Sequence, residues 1–240
     1  MARPNPTEIS ARLSVLVRVV QWEASAPESG ADAAALAAGA QRAEAELRER
    51  GLWDAATPAE QRFLTNSPLE ADERARVDAS WALEALPPLA WALGLVPELP
   101  PYEVVVDAEF VAGFPDASVA ELVARAKPRS DAERDRERSL AELWLWRART
   151  RELIERGTPA PRGFRSFDEI VRKAAANGQR QKLLGELVDG DFALFGRAYR
   201  DLDESEFATV RSLAIERLRA HNWLCGRAPS NRWQDTPLDS

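Results

Sequence analysis

The chain has 240 residues, 45% hydrophobic and 30% charged, proportions of a soluble globular protein with one large or two small domains. Its 39 acidic residues outweigh 32 Lys and Arg for a formal charge of −7, which argues against a nucleic-acid partner, since phosphate binding needs clustered cations. One His and one Cys leave no material for a multi-imidazole or multi-thiolate metal site or an internal disulfide, so neither metal nor cofactor is expected.

Met1 to Trp22 has Arg18 inside its only apolar stretch and no small-residue cleavage site, so it does not read as a signal peptide and the expected compartment is the cytoplasm. The spacing of Ile9, Leu13, Leu16 and Val20 predicts a helix over Thr7–Ala24, although Val15–Val20 alone would also suit a strand. Ala31–Arg50 follows as a thin-striped helix with Leu36, Ala40, Ala43 and Leu47 on one face and Gly51 as its stop. Thr57-Pro58-Ala59-Glu60 is an N-terminal signature for a short helix through Leu64. A helix from about Leu69 to Leu86 comes next, and Pro87-Pro88 either breaks it or begins another that ends near Gly94. The longest apolar run, about Ala85 to Pro97, falls short of the roughly 18 residues of a membrane span.

Pro97–Asp107, with three Pro and Val104-Val105-Val106, reads as an extended crossing segment or edge strand. Helices are expected over Asp116–Ala126 and Ser130–Arg156, the second solvated in its charged first half and turned inward from Leu140. Ser166–Leu187 gives one or two short helices interrupted at Asn177-Gly178, and Asp189-Gly190-Asp191 leads into a short strand or hairpin at Phe192–Gly196. Leu202–Gly226 is the last long helix, followed by an irregular tail carrying Trp233. The expected fold is all-α or mostly α: a single helical domain over 1–240 with at most one short β-hairpin. Residues 1–50 form peripheral helices, 51–226 the core and 227–240 the tail.

Helical wheels place charges where apolar side chains belong. In the last helix Arg217 and His221 project from the stripe of Phe207, Val210, Leu213, Ala214, Leu218, Leu224 and Cys225, with Trp223 and Arg219 elsewhere. Arg147 sits within the stripe of Leu140, Leu143, Trp144, Trp146, Leu153 and Ile154, and Glu84 shares a face with Val77, Ser80 and Trp81. Isolated buried charges are too costly to leave unpaired, so Glu84 should pair with Arg147 or Arg217. Two arrangements satisfy this. One is a structural network; the other is a pocket in which Glu84, Arg147, Arg217 and His221, walled by Trp81, Trp91 and Trp146, hold an anionic small molecule. His221 and Cys225, one turn apart, lack further metal ligands and read as a core His beside a buried thiol. Asp189, Asp191, Asp201 and Asp203 read as turn and cap residues.

Trp81-Ala82-Leu83-Glu84-Ala85-Leu86, Leu89-Ala90-Trp91-Ala92-Leu93-Gly94, Leu143–Thr150, Gly190-Asp191-Phe192 with Gly196 and Tyr199, Glu216-Arg217, Asn222-Trp223-Leu224 and Trp233-Gln234-Asp235-Thr236 stand in a recognisable order. From about Trp53 onward the chain thereby resembles the bacterial family designated domain of unknown function 4272. Gln234 stands where the family commonly has Asp, and Leu238 and Ser240 where Thr is usual. The resemblance implies no activity. Of the functions open to an acidic, Trp-rich helical chain, a non-enzymatic module that binds another protein leads, its charge favouring a basic partner. The alternative is a small-molecule binder or metal-independent enzyme built on the Glu/Arg/His group.

Overall fold

Helices dominate the computed structural model, which describes residues 2–25, 33–66, 71–114 and 117–238, with backbone alone for 33–36. The first helix, α1 (Pro6–Ala24), opens with a capping box: Asn5 accepts from the Glu8 amide and Glu8 accepts from the Asn5 amide, with Pro6 at the first helical position. Its predicted stripe of Ile9, Leu13, Leu16 and Val20 packs with Leu86, Leu89, Leu93 and Trp223. Val15, Val19 and Trp22 are buried too, on a second face against Ala43, Leu47, Phe63 and Leu64. This corrects the expectation of a peripheral N-terminal helix. A helix apolar on nearly all sides must be enclosed, and that is also why Val15–Val20 resembles a strand.

Helix α2 (Ala33–Glu49) buries Ala40, Ala43 and Leu47 and ends at Gly51, whose φ of +66° suits a glycine stop; its expected start at Ala31 and the Leu36 side chain lie outside the described residues. Helix α3 (Pro58–Thr65) carries the predicted capping box of Thr57 and Glu60. Helix α4 (Glu73–Trp81) is capped by Asp72, and its expected start at Leu69 also falls outside the described residues. It stops at Trp81 instead of running to Leu86, giving way to a 3₁₀ turn (Ala82–Ala85) and then to α5 (Leu86–Ala92), which holds Pro87 and Pro88 in its first turn. The tighter turn advances about 120° per residue rather than about 100°, so the helical wheel slips. Val77 and Ser80 are exposed while Glu84 is buried.

All seven residues of α5 are buried. Gly94 ends this segment at φ +70°, and a Cβ there would lie 2.2 Å from the Lys127 carbonyl oxygen. That close approach lets the Lys127 amide donate to Leu93 (2.8 Å) and the Arg129 amide to Ala92 (3.0 Å). Residues 95–107 then form an irregular strap in place of the expected extended segment or edge strand: it bends at 95–98 and turns at Tyr102-Glu103, where the Val104 amide donates to the Pro101 carbonyl at 3.2 Å, and it pairs with no strand among the described residues. A short helix absent from the expected set, α6 (Ala108–Ala112), begins at the Asp107 cap, and α7 (Val119–Arg125) is capped by Ser118. The expected start of the latter at Asp116 is outside the described residues.

Helix α8 (Asp131–Glu155) starts at the Ser130 capping box. Its inward face is Ala141, Trp144, Leu145, Arg147 and Ala148, whereas Leu153 and Ile154 are exposed near its end, against expectation. Helix α9 (Phe167–Arg180) runs through Asn177-Gly178 without interruption because Gly178 admits Leu184 against its backbone: a Cβ there would meet Leu184 at 2.8 Å. Three short strands follow: β1 (Leu187–Val188), β2 (Asp191–Leu194) and β3 (Arg197–Ala198), paired antiparallel in the order β1-β2-β3. The expected single hairpin is thus two. Each turns on two residues with positive φ, Asp189-Gly190 and Phe195-Gly196, the requirement of the tight turns that match strand twist. Helix α10 (Glu204–Leu224), capped by Asp203, packs mainly along α8. Trp223, expected to point elsewhere, is buried edge-on to Trp233 in the tail, which closes over α1. Helices α1 and α10 meet in one apolar cluster; α1 also walls a second with α2 and α3, and α10 a third with α8. Among the described residues no helix is long and apolar enough to cross a membrane.

Candidate functional site

The 3₁₀ turn after α4 aims Glu84 inward, where it is 1% exposed and meets Arg217 from the middle of α10. Arg217 donates from Nε (3.0 Å) and Nη2 (2.8 Å) to Glu84 Oε2. Its remaining N–H groups go to the strap: Nη1 to the carbonyls of Pro100 (2.8 Å) and Pro101 (3.0 Å), Nη2 to that of Val104 (2.8 Å). The other Glu84 oxygen accepts from the Val106 amide at 2.7 Å. All five guanidinium N–H groups are engaged. Burial pushes the Glu84 carboxyl above its ordinary value, and the Arg217 charge and the Val106 amide offset this only in part, as expected where desolvation outweighs Coulombic attraction. The pair therefore acts as a clamp on the strap more than as a source of net stability.

Arg147 does not join this pair. It is held 44 residues along the chain by Asp191, Nε to Oδ1 at 2.7 Å and Nη2 to Oδ2 at 2.6 Å, and it lies over the Tyr199 ring at 4.5 Å. Asp191 also accepts from the amides of Phe192 (2.8 Å) and Arg200 (3.1 Å). It is wholly buried at the start of β2, which corrects its reading as a turn residue. Arg147 Nη1 and the Tyr199 hydroxyl are buried without hydrogen-bond partners among the described residues. The Arg147 guanidinium needed a carboxylate, and Asp191 beside apolar Phe192 was the available signal.

His221, one turn beyond Arg217, lies edge-on to Trp91 with ring centroids 6.3 Å apart. Both line a cavity of about 300 Å³ between α5, the strap, α8 and α10. Burial, then the charges of Arg217 and Arg138, lower the His221 pKa to about 3, so the imidazole is neutral near pH 7 and unsuited to acid–base work there. Its Nδ1 is buried without a hydrogen-bond partner among the described residues. The structure thus brings Glu84, Arg217, His221 and Trp91 together. Trp81 is half-buried at the end of α4, and Trp146 packs against Phe192 beside Arg147. Cys225 sits at the C-cap of α10 in a different depression with Arg3 and Asp135. Burial, then Asp135, raise its thiol to about 11, so it is a poor nucleophile. Among the described residues no His/Cys/Asp/Glu cluster could hold a metal.

Two further charged groups escaped the sequence reading. Arg12, 3% exposed in α1, pairs with Glu60 of α3 and stacks on Trp233 at 4.5 Å. Glu216 lines a larger cavity of about 600 Å³ with Asp78 and Trp233, and Arg219 donates to it at 3.1 Å. Burial, then Asp78, raise its pKa to about 7. A carboxyl raised in the fold is stabilising while protonated; that contribution is complete below pH 4.5 and is lost as pH rises to about 7. Glu216→Gln, which mimics the protonated form, should therefore gain stability over the native chain by about 1.4 kcal/mol per pH unit across this window. Urea unfolding of both proteins from pH 4.5 to 7 checks this; a pH-independent difference would refute it.

No curated protein and no solved structure matches the chain. The family profile described as domain of unknown function (DUF4272) matches residues 2–173. That span includes Glu84, Arg147 and the N-terminal helix and stops short of Asp191, Arg217 and the tail motifs. Since the match covers more than half of its length, the chain belongs to the DUF4272 family.

Proposed function

We propose that the protein is a non-enzymatic helical module of the bacterial cytoplasm that binds another protein through the strap and the neighbouring hairpin tip. The observation that carries this reading is the exposure of Val104, Val105 and Phe195, each nearly half open to solvent, on a backbone held from beneath. Val104 gives its carbonyl to Arg217 and the Val106 amide is held by Glu84, while the Phe195 amide donates to Glu103 at 2.6 Å. Neighbouring exposed apolar side chains on a fixed frame are what a binding surface requires. The net charge of −7 favours a basic partner. An anionic small molecule has less support, because Arg217 has no N–H left to offer and Arg147 is matched by Asp191.

Affinity purification from the host, comparing the native chain with Val104→Asp/Val105→Asp and with Phe195→Asp, tests this. A partner protein should be retained at least about tenfold better by the native chain, with the unfolding midpoint unchanged because these side chains are exposed. Equal retention by the variants, or no retained protein at all, would remove the surface from consideration.

A further inference from the structure

The cavity beside the clamp has spent most of its donors. Five of its wall residues, Pro87, Pro88, Pro97, Pro100 and Pro101, have no N–H, and the Arg217 guanidinium is fully engaged. The polar side chains left among the lining residues are Glu98, Glu137, Tyr102 and His221, the last 3% exposed. Burial raises the Glu137 carboxyl, offset in part by Arg136, as happens to an acid that lacks a close counter-ion. The surrounding cations are committed elsewhere. Arg129, over the Trp91 ring, donates to the Val96 and Pro97 carbonyls; Arg138 donates to Asn222 and Glu142, and Arg136 to the Lys182 carbonyl. An anion would find two carboxylates and no free guanidinium. At about 300 Å³ the space lies at the small end of ligand pockets, roughly 300–1,000 Å³.

We infer that this cavity binds a primary ammonium group carried on a compact apolar body, the ammonium at Glu137 and His221 and the body against Trp91, Leu140 and the prolines. The neutral imidazole can accept a hydrogen bond from the ammonium, and the carboxylate balances its charge. The carrier is either a free amine or a lysine side chain. The inference goes beyond the strap surface and does not depend on it, since Val104, Val105 and Phe195 do not line the cavity.

Calorimetric titration of the full chain with phenethylamine, with Nα-acetyl-lysine methylamide and with the uncharged isostere 2-phenylethanol tests the inference. At least one of the two amines should bind saturably and at least about tenfold tighter than the alcohol; which of them binds better identifies the carrier. Glu137→Gln should reduce that affinity about tenfold or more, and Leu140→Trp, which fills the space, should abolish it. Glu137→Gln removes a half-buried charge without a close partner, so it keeps the test valid if the Trp variant does not fold. Failure of both amines to bind, equal binding of the alcohol, or unchanged affinity in Glu137→Gln would each overturn the inference.

Discussion

Arg217→Met is expected to destabilise the protein by about 3–5 kcal/mol, the range for removing one partner of a buried ion pair. Two losses combine. Glu84, already raised by burial with its cation present, is left as an uncompensated buried carboxylate or must take up a proton. The carbonyls of Pro100, Pro101 and Val104 lose the donors that fix the strap. For a chain of this size the change lowers the melting temperature by roughly 10 °C. Arg217→Met/Glu84→Gln should recover only the electrostatic part, since Gln can still accept from the Val106 amide while the strap carbonyls stay unserved. Chemical denaturation of the single and double variants checks both statements. A binding pocket kept under strain by two unmatched charges would give the opposite sign, with Arg217→Met neutral or stabilising.

Asp191→Asn should cost a similar amount, about 3–5 kcal/mol. Asp191 accepts four hydrogen bonds at zero exposure, two from Arg147 and two from backbone amides. The amide that replaces one oxygen would face an N–H of Arg147 or of the backbone, and Arg147, whose two Nη1 N–H groups already lack a partner among the described residues, would be a buried charge without a counter-ion. Trp144 packs edge-on to Phe192 with centroids 5.2 Å apart, so the near-ultraviolet circular dichroism should weaken with the stability. Unchanged stability would mean that the hairpins are held by apolar packing alone.

The elements most legible in the sequence were those with local signatures. The capping boxes at Thr57 and Ser130 and the Asp203 cap need only a few adjacent residues, and the helices starting there follow expectation. Legibility failed where tertiary packing or a change of helix type decided the outcome. The 3₁₀ turn at Ala82–Ala85 shifted the phase that had grouped Val77 and Ser80 with Glu84. Helix α1 looked peripheral because its length and position were read without its second apolar face. For the charged cluster, the buried positions of Arg147 and Arg217 could be read from periodicity, whereas Glu84 is buried on a different face from the one that grouped it with Val77 and Ser80; the Glu84–Arg217 pairing was among the expected ones. The partner of Arg147 was not, because a carboxylate 44 residues away leaves no periodic trace. Nor did any periodicity reveal the strap as the element that the clamp holds, since its part is played by backbone carbonyls and one amide.

Buried charges that hold the strap by its backbone imply that the strap moves only when the fold opens. Amide hydrogen exchange at Val106, whose N–H is held by Glu84 Oε1 at 2.7 Å, tests it most directly. The account predicts exchange as slow as that of the central amides of α10, with an opening free energy close to that of global unfolding. Exchange of Val106 at the rate of an open loop, while α10 stays protected, would show that the clamp does not hold the strap and would contradict the account.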